Sequence, residues 1–326
     1  MRMRPAARNI ALLLVALVLL SSCGVRQGSE SPRQVPRTGT QGIELSFHAS
    51  PPPARVYATD PSALTLMLDV RNKGVEDVDP GSIDLRLSGY DPSIVSIAPS
   101  YGSGASGAGA VYQLRDTLLG KSEFMPEGGY ELAQWATASI LMPRDIDRLD
   151  QQFIATACYI YRTRASPTVC LDPDPYSALS LAQDKACQVR DISLSGGQGA
   201  PVAVTRVEEQ IFPQTGEVQF KVVVSNVGGG TLFDQDSFTE CANQQLSIGN
   251  LNKVVIEQAY ISGLGSGTCN PEVITMNNGQ GFTYCRFGNI NGNAGAYETP
   301  LQLVLSYGYK TSTSKGVSIL RTPGTY

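Results

Sequence analysis

Histidine and tryptophan are almost absent from this sequence. Among 326 residues there is one histidine, His48, and one tryptophan, Trp135. A Ser-His-Asp triad, a Cys-His pair or a zinc site with several histidines each needs histidine in a defined constellation. Because His48 is followed by the Pro-rich stretch ASPPPAR, we expect an exposed strand residue there, not a catalytic base or a metal ligand. The sequence therefore predicts a protein that is not an enzyme.

Other common site motifs are also missing. No two cysteines are spaced as C-x-x-C, so zinc binding by that route is not expected. The Gly-rich stretch YGSGASGAGAVY at 101–112 lacks the lysine and the strand–glycine–helix context of a phosphate-binding loop. We expect a flexible hairpin or an interaction loop there. No Asn-x-Ser/Thr sequon occurs, so N-glycosylation is not expected either.

The apolar run near the start is too short for a transmembrane helix. IALLLVALVLL at 10–20 would rise only about 16 Å as a helix, roughly half of the hydrocarbon core of a bilayer. Three arginines and no acidic residue precede this run. A positive segment followed by a short apolar one is typical of a secretory signal peptide.

A cysteine follows the signal directly. LSSCG at 20–24 resembles the prokaryotic lipobox, which lipoprotein signal peptidase recognises. The resemblance implies that residues 1–22 are removed and that Cys23 receives a diacylglycerol, with the new N-terminus often acylated as well. Two or three acyl chains anchor a protein stably, whereas one would be marginal. The alternative is an ordinary signal peptide that leaves Cys23 as a free thiol.

The remaining chain is acidic and begins with a polar segment. Removal of residues 1–22 takes away three arginines and no acid, which leaves 22 basic and 29 acidic residues, a net charge of −7. This charge argues against nucleic acid as a partner. Residues 24–41 contain two valines as their only aliphatic residues, so we expect 23–41 to be a lipidated, disordered tether. We expect an extracytoplasmic protein at the cell membrane or outer envelope, with other envelope or surface proteins as partners.

From Ile43 onward the apolar pattern is that of β-strands. Apolar residues alternate with polar ones in ALTLMLDVRN at 63–72, QFKVVVSN at 219–226 and PLQLVLSYGY at 300–309. Alternation bounded by Gly, Pro and Asn predicts strands. Trp135 alternates with its neighbours in the same way, so we expect it in the core. One stretch, 176–187, has a helical pattern. We predict an all-β fold whose length suits two sandwiches better than one.

Two short motifs recur in the same order along the chain. LDVRNKG at 68–74 matches VVVSNVG at 222–228, and CYIYRT at 158–163 matches SYGYKT at 306–311. The offsets of 154 and 148 residues belong to one register, which indicates an internal repeat. The aligned residues are Asn72 with Asn226, Gly74 with Gly228, Tyr159 with Tyr307 and Tyr161 with Tyr309. We predict two related domains, 42–165 and 200–326, joined by a cysteine-bearing segment, 166–199.

The Asn-x-Gly frame of the repeat has a simple physical interpretation. A strand ends, the asparagine bonds to the turn backbone, and the glycine takes a positive φ. The frame resembles that of CARDB-type modules, which are Ig-like sandwiches of prokaryotic surface proteins, and FKVVVSNVGGGTL at 220–232 is the closer copy. The resemblance implies two tandem Ig-like sandwiches and a role in adhesion or display. It implies no shared active site.

Six cysteines remain once Cys23 is set aside, and an oxidising compartment favours three disulfides. Three precede the predicted boundary near 199 and three follow it, so an odd number of bonds must cross. We expect Cys158–Cys170, Cys269–Cys285 and a crossing bond Cys187–Cys241. The alternative local pair, Cys170–Cys187, would leave Cys158 to cross. A crossing bond would hold the two domains in one relative orientation.

Acidic residues fall into three groups. They are Asp77, Asp79 and Asp84, then Asp145, Asp147 and Asp150, then Asp172 and Asp174. Calcium binds such oxygens, but none of the groups fits the EF-hand frame. We expect solvated loops and no cofactor, with structural calcium in one group as the alternative.

These features predict a non-catalytic, lipid-anchored protein of the cell envelope that serves as a surface adhesion, spacer or assembly module. The alternative is a surface or periplasmic binding protein for a carbohydrate or a peptide. The two differ in what a structure should show. A binding protein should have a deep pocket lined by several aromatic residues, whereas a structural module should have an exposed sheet edge or an apolar patch.

Overall fold

The computed structural model describes residues 37–97, 105–106, 109–176, 185–290, 292 and 295–322. The predicted signal peptide, Cys23 and most of the predicted tether lie outside the described residues. So do most of the stretch predicted as a helix and half of the Gly-rich stretch at 101–112, whose residues 105–106 and 109–112 form two paired strands. Within the described ranges, no helix has the length and apolar character needed to cross a membrane.

The described chain is all-β, as the alternation predicts. Its strands are β1 (Ile43–Phe47), β2 (Arg55–Tyr57), β3 (Thr65–Asn72), β4 (Ile83–Ser88), β5 (Val95–Ile97), β6 (Ala105–Ser106), β7 (Gly109–Tyr112), β8 (Tyr130–Ile140), β9 (Arg148–Ala165), β10 (Thr168–Leu171), β11 (Ile192–Ser193), β12 (Val202–Phe212), β13 (Glu217–Asn226), β14 (Thr231–Phe233), β15 (Lys253–Ile261), β16 (Gly265–Ser266), β17 (Thr268–Asn270), β18 (Val273–Thr275), β19 (Gln280–Phe287) and β20 (Tyr297–Leu320). A short helix, α1, spans Phe238–Ala242. Single 3₁₀ turns lie at Pro61–Ala63, Pro80–Ser82, Gln235–Ser237 and Ile248–Asn250.

The strands form three sheets. The central sheet has the order β16-β15-β20-β9-β4-β7-β6, and β2, β10, β14 and β18 pair with it at the side. The first covering sheet has the order β1-β3-β8-β5, and the second has the order β11-β12-β13-β19-β17. The covering sheets come from the two halves of the chain, whereas the central sheet combines both halves.

The longest strands of the two halves, β9 and β20, pair antiparallel at the middle of the central sheet. The register places Tyr161 opposite Tyr307 and Tyr159 opposite Tyr309. The repeat equates Tyr159 with Tyr307 and Tyr161 with Tyr309, so exchanging the halves leaves the pairing unchanged. A local twofold axis therefore passes through the opposed pair formed by Ile160 and Gly308.

The predicted domain boundaries at 165 and 200 stay a prediction. Residues 36–326 form one compact unit. Two strands lie within the predicted linker 166–199: β10 pairs with β20, and β11 pairs with β12. The linker is therefore built onto the second half of the chain.

The end of the predicted tether is also ordered. Residues 37–41 pack on the glycine turn at 196–199, where the Gly39 N–H donates to Gly196 O over 2.7 Å and the Gly199 N–H donates to Gly39 O over 2.9 Å. This segment bonds through the backbone N–H and C=O of Gly39, and composition alone does not reveal such backbone bonds.

A single apolar core lies between the central sheet and both covering sheets. Inward-facing residues of β3 and of β13 belong to it, as their alternation predicts. Trp135 is fully buried there, which confirms the prediction for this residue. On the opposite face of the central sheet, Cys158, Phe233 and Cys241 form a second small core beneath α1.

Candidate functional site

The first repeat junction is centred on Asn72, a fully buried residue at the end of β3. Its Nδ2 donates to Glu76 O over 2.7 Å and to Leu118 O over 2.9 Å. Its Oδ1 accepts from the Gly74 N–H over 3.1 Å and from the Tyr161 hydroxyl over 3.0 Å. Asn72 therefore ties the strand end, the following turn and the central sheet together.

The second repeat junction uses the same chemistry. Asn226 Nδ2 donates to Gly230 O over 2.9 Å, and the Tyr309 hydroxyl donates to Asn226 Oδ1 over 2.9 Å. The Gly230 N–H in turn donates to the Tyr309 hydroxyl over 2.7 Å. In the first half, the Glu76 N–H donates to the Tyr161 hydroxyl over 3.3 Å in the same way. The repeat seen in the sequence thus corresponds to two equivalent Asn–Tyr networks.

The glycines of the repeat serve a different purpose from the one expected. Neither Gly74 nor Gly228 has a positive φ, so the expectation of a left-handed turn at these positions is wrong. A Cβ on Gly74 would instead overlap the Tyr161 hydroxyl, and one on Gly228 would lie 2.5 Å from Pro201 Cβ and 2.8 Å from the Tyr309 hydroxyl. Glycine is required because other groups approach the backbone closely, the Tyr161 hydroxyl at Gly74 and Pro201 with the Tyr309 hydroxyl at Gly228.

The other two repeat tyrosines connect the central sheet to β1 of the first covering sheet and, through Thr163, to β12 of the second. The Ile43 N–H donates to the Tyr159 hydroxyl over 3.1 Å. Thr163 Oγ1 donates its one hydrogen to Val202 O over 2.7 Å. The hydrogen bond of 2.8 Å between Thr163 Oγ1 and the Tyr307 hydroxyl is therefore donated by the tyrosine. Burial raises the pKa of each of the four repeat tyrosines above its usual value. All four are therefore neutral cross-links within the core.

All six cysteines of the described residues pair, but two of the three expected bonds are wrong. The bonds are Cys158–Cys241, Cys170–Cys187 and Cys269–Cys285. Cys158 lies opposite Lys310 of β20, and Cys170 lies opposite Glu298, twelve residues away on the same strand. That offset is about 40 Å along a strand, far beyond the reach of a disulfide. One bond, Cys158–Cys241, crosses between the halves, as the alternative pairing anticipated.

His48, the only histidine, has a structural partner. It lies just after β1, half-exposed, with Nε2 2.6 Å from Asp69 Oδ1. Partial burial raises the pKa of Asp69, but hydrogen bonds from Tyr130 and His48 lower it below its usual value. The pair holds the end of β1 against β3.

The acidic groups mostly cap turns or form ion pairs. Asp77 accepts from the Gly120 N–H, and Lys185 Nζ lies 2.5 Å from Asp172 Oδ2. Within the described part of the chain, no three His, Cys, Asp or Glu residues are grouped so as to hold a metal ion.

An open groove of about 620 Å³ lies beside β8 in the first half. Tyr130, Glu131 and Leu132 all line it. Successive residues of a strand point to opposite faces, so a cavity that touches three in a row lies against the edge of the backbone. The opposite wall is formed by Arg115–Leu119 and Met125. We call this feature the edge groove.

Apolar side chains surround the edge groove. Leu119, Tyr130 and Leu132 are 43%, 47% and 37% exposed, respectively. Phe124 is 96% exposed and stands at the tip of a turn in which Ser122 and Met125 exchange two backbone hydrogen bonds of 3.1 Å. Clustered exposed apolar residues with a polar rim are typical of surfaces that contact other proteins.

A second cavity, of about 460 Å³, contains a buried carboxyl group. Glu209 faces inward from β12, and its Oε2 accepts from the Cys170 N–H over 3.3 Å. Its Oε1 is buried and has no hydrogen-bond partner among the described residues. Burial raises the pKa of Glu209 to about 8, so the group is largely protonated at neutral pH.

Aromatic residues are exposed on the second covering sheet. Phe282 and Tyr284 on β19 are 48% and 39% exposed, with ring centroids 5.6 Å apart. Tyr284 borders a shallow depression of about 350 Å³ that is also lined by Glu208, Gln219 and Lys221. Lys221 Nζ lies 3.2 Å from Glu208 Oε2 and 5.4 Å from the centre of the Phe282 ring.

No protein-family model matches the chain, and no curated protein matches it. Among solved structures, the C-terminal domain of the Streptococcus agalactiae AgI/II polypeptide BspA is similar at 10% sequence identity. The alignment covers 85% of this chain and 97% of that chain, and the TM-score of 0.16 is too low to indicate a common fold. The residues themselves define the class: an all-β protein of layered sheets, braced by disulfides.

Neither the edge groove nor Glu209 was predicted from the sequence. The groove has no local signal, because its lining combines residues of β7, of the segment before β8 and of β8 itself. Glu209 did have one: it shares a face of β12 with Val207 and Ile211, so a charge stands in an apolar row. Such an interruption marks a buried ionisable group.

Proposed function

We propose that this protein is a non-catalytic, lipid-anchored module of the cell envelope that joins or spaces other surface proteins. The observation that carries the proposal is the edge groove, where apolar side chains are exposed beside the edge of a sheet. This is the feature expected of an assembly or adhesion module. The lipobox resemblance at Cys23 supports the membrane attachment.

The architecture supports a role in holding partners at a fixed geometry. The two halves share the central sheet and one apolar core, and the Cys158–Cys241 bond adds a covalent link between them. A body of this kind resists bending between its halves. A partner bound in the first half is therefore held at a defined position relative to the second.

The anchor is tested by metabolic labelling with radioactive palmitate. We expect the wild-type protein to be labelled and Cys23→Ser to be unlabelled. Label that persists in Cys23→Ser, or its absence from the wild type, would contradict the lipid attachment. Protease digestion of intact and of lysed cells then reports which side of the membrane carries residues 36–326.

The assembly role is tested by photo-crosslinking in living cells. A benzoylphenylalanine placed at Leu119 should give discrete adducts with an envelope protein, and Leu132→Asp in the same chain should abolish them. Ile248 is 89% exposed and lies outside the groove, so the same probe at Ile248 is the matched control. Equal adducts at both positions, or none at Leu119, would count against the proposal.

The exposed aromatic pair on β19 favours a second candidate, carbohydrate binding. An aromatic ring stacks on the apolar face of a sugar, and Glu208, Gln219 and Lys221 could bond to its hydroxyl groups. Titration with oligosaccharides of known composition, followed by Tyr284→Ala, tests this. Saturable binding that the variant loses supports this role, and no binding at millimolar sugar excludes it.

A further inference from the structure

We propose that Lys185 and Asp172 condense to an amide bond, with Glu209 transferring protons between the reacting groups. The product is a covalent cross-link between two side chains, formed once in each molecule after the chain has folded. This inference goes beyond the proposed function, because it depends neither on the lipid anchor nor on a partner. The cross-link would be a brace that a reducing agent cannot remove.

The two reacting groups are in contact. Lys185 Nζ lies 2.5 Å from Asp172 Oδ2 and also donates to Asp174 O over 2.6 Å. The side chains of Lys185 and Asp172 are 19% and 6% exposed, so theirs is the most buried lysine–carboxylate pair among the described residues. A buried ion pair has lost most of its hydration, so proton transfer from lysine to carboxylate costs less there than in water. The neutral amine that results is a nucleophile.

The disulfide Cys170–Cys187 holds the two groups together. Asp172 follows Cys170 by two residues, and Lys185 precedes Cys187 by two. Groups that are tethered in contact react as if one were present at about 10⁵ M or more. The amide would close the loop that the disulfide already closes, so it adds little stability while the disulfide is intact.

A backbone contact polarises the carboxyl group of Asp172. The Asp174 N–H donates to Asp172 Oδ1 over 3.1 Å. When the lysine nitrogen attacks Cγ, negative charge develops on Oδ1, and an N–H directed at that oxygen stabilises the charge. Oδ2, the oxygen beside Lys185, is then the one that leaves.

Glu209 serves as the acid and the base. It lines the same cavity as Lys185 and Asp172, and its Oε2 accepts from the N–H of Cys170. Burial raises the pKa of Glu209 to about 8, and the nearby charge of Asp172 adds to the shift. The group therefore holds a proton at neutral pH. Such a carboxyl group can protonate a leaving oxygen and then accept a proton from the nitrogen.

The reaction balances without an added reagent. The Lys185 ammonium first passes one proton to Asp172 Oδ2. The nitrogen lone pair then forms a bond to Cγ, and the π electrons of the C–Oδ1 bond move to Oδ1. Glu209 protonates Oδ2, the C–Oδ2 bond breaks, and water leaves as the C–Oδ1 double bond forms again. The Glu209 carboxylate then takes one proton from Nζ, so an ammonium and a carboxylate become an amide and one water molecule.

The first test is tryptic mapping of the full-length protein by mass spectrometry after reduction and alkylation. Trypsin should fail to cut after Lys185, so 165–190 should appear as one peptide that lacks one water molecule. Cyclisation of Asp172 or Asp174 onto the next backbone nitrogen cannot mimic this loss, because proline follows each. Separate peptides 165–185 and 186–190 of full mass would overturn the proposal.

Variants assign the residues. Lys185→Arg should restore cleavage after position 185 and the full mass of 165–185. Lys221 forms an ion pair with Glu208, so Lys221→Arg is the matched control and should keep the cross-link. In pulse-labelled, newly made protein, Glu209→Gln should slow cross-linking about a hundredfold. An unchanged rate in Glu209→Gln would overturn the role of Glu209.

The second test uses limited digestion with chymotrypsin. Tyr176 is 78% exposed and lies between Asp172 and Lys185 in the sequence. Wild-type protein nicked after Tyr176 should remain one covalent chain on a denaturing gel after its disulfides are reduced. Nicked Lys185→Arg should separate into two fragments. Separation of the wild type would overturn the proposal and leave the envelope role untouched.

Discussion

At the scale of single residues, two asparagines hold the strand ends of the repeat in place, Asn72 fully buried and Asn226 partly buried. Asn72 and Asn226 lie where a strand, a turn and the central sheet meet, and each is bonded to a tyrosine of the other layer. A buried amide left without partners costs about 1–3 kcal/mol. The repeated motif is therefore retained in both halves as a matched set of donors and acceptors.

Tyr161→Phe tests this network. The change removes the donor to Asn72 Oδ1 and the acceptor for the Glu76 N–H, so we expect a loss of about 1–2 kcal/mol in the free energy of unfolding. Urea denaturation measures it. Tyr176 is 78% exposed, and Tyr176→Phe serves as the control. Equal stability of both variants would show that the Asn–Tyr network contributes little.

Glu209 should make stability depend on pH. Its pKa is raised by burial to about 8 in the folded state, against about 4.5 when unfolded. Between these values the unfolded chain releases the proton while the folded chain keeps it, so stability falls as pH rises from about 4.5 to 8. Each pKa unit corresponds to about 1.4 kcal/mol.

Glu209→Gln should therefore flatten the pH profile. We expect its melting temperature to match that of the wild type near pH 5 and to exceed it near pH 9. Differential scanning calorimetry across this range measures the effect, with the exposed Glu44→Gln as control. A wild-type profile as flat as that of the variant would contradict a buried, protonated Glu209.

At the scale of elements, the packing of other residues against strand β20 varies along its length. Gly308 lies at the local twofold axis, and a Cβ there would overlap the ring of Phe233, which is fully buried on the face opposite the tyrosines. Gly316 lies in the same strand, and its nearest neighbour to a Cβ is Gln152 Oε1 at 3.5 Å. Position along one strand thus decides whether glycine is required.

Gly308→Ala should destabilise the protein, and Gly316→Ala should not. Overpacking of a close-packed site costs about 1–3 kcal/mol because Phe233 and its neighbours must shift. Alanine at Gly316 meets only a side-chain end, and it should be neutral or slightly favourable. Thermal unfolding of the two variants compares them directly. Similar melting temperatures would contradict the close packing of Phe233 on β20.

At the scale of the whole molecule, the two halves are related by the local twofold axis between β9 and β20. β9 and β20 form one ladder, four tyrosines meet beside it, and the core continues through both halves. The Cys158–Cys241 bond closes the longest loop of the three disulfides, with a sequence separation of 83 residues. Longer loops lose more entropy on cross-linking in the chain-entropy model.

Cys158→Ser with Cys241→Ser should therefore destabilise the protein more than Cys269→Ser with Cys285→Ser. The chain-entropy model gives about 4–5 kcal/mol for the long loop and about 3 kcal/mol for the 16-residue separation of the second pair. We also expect one cooperative transition in both variants, because the core and the central sheet remain shared. Two separate transitions would indicate halves that unfold independently.

Much of the fold can be predicted from the sequence. Strand alternation predicts β3, β13 and β20 and the burial of Trp135, and the repeat aligns the residues of the two Asn–Tyr networks. The reason for the glycines could not be predicted, since Gly74 is required by the Tyr161 hydroxyl, which comes from the distant strand β9. The edge groove was equally hidden, because its lining residues come from separate parts of the chain, Tyr112 to Leu119 and Met125 to Leu132.

The sequence by itself determines the all-β class, the residues of each strand that face the core, and the internal repeat. These features depend only on local alternation and local turn chemistry. The pairing of β9 with β20, the bond between Cys158 and Cys241 and the edge groove beside β8 arise only when the chain folds. These features depend on which surfaces meet across long sequence separations. Cys158 and Cys170 are close in sequence, yet they face positions on β20 that lie about 40 Å apart, so proximity along the chain could not decide their partners.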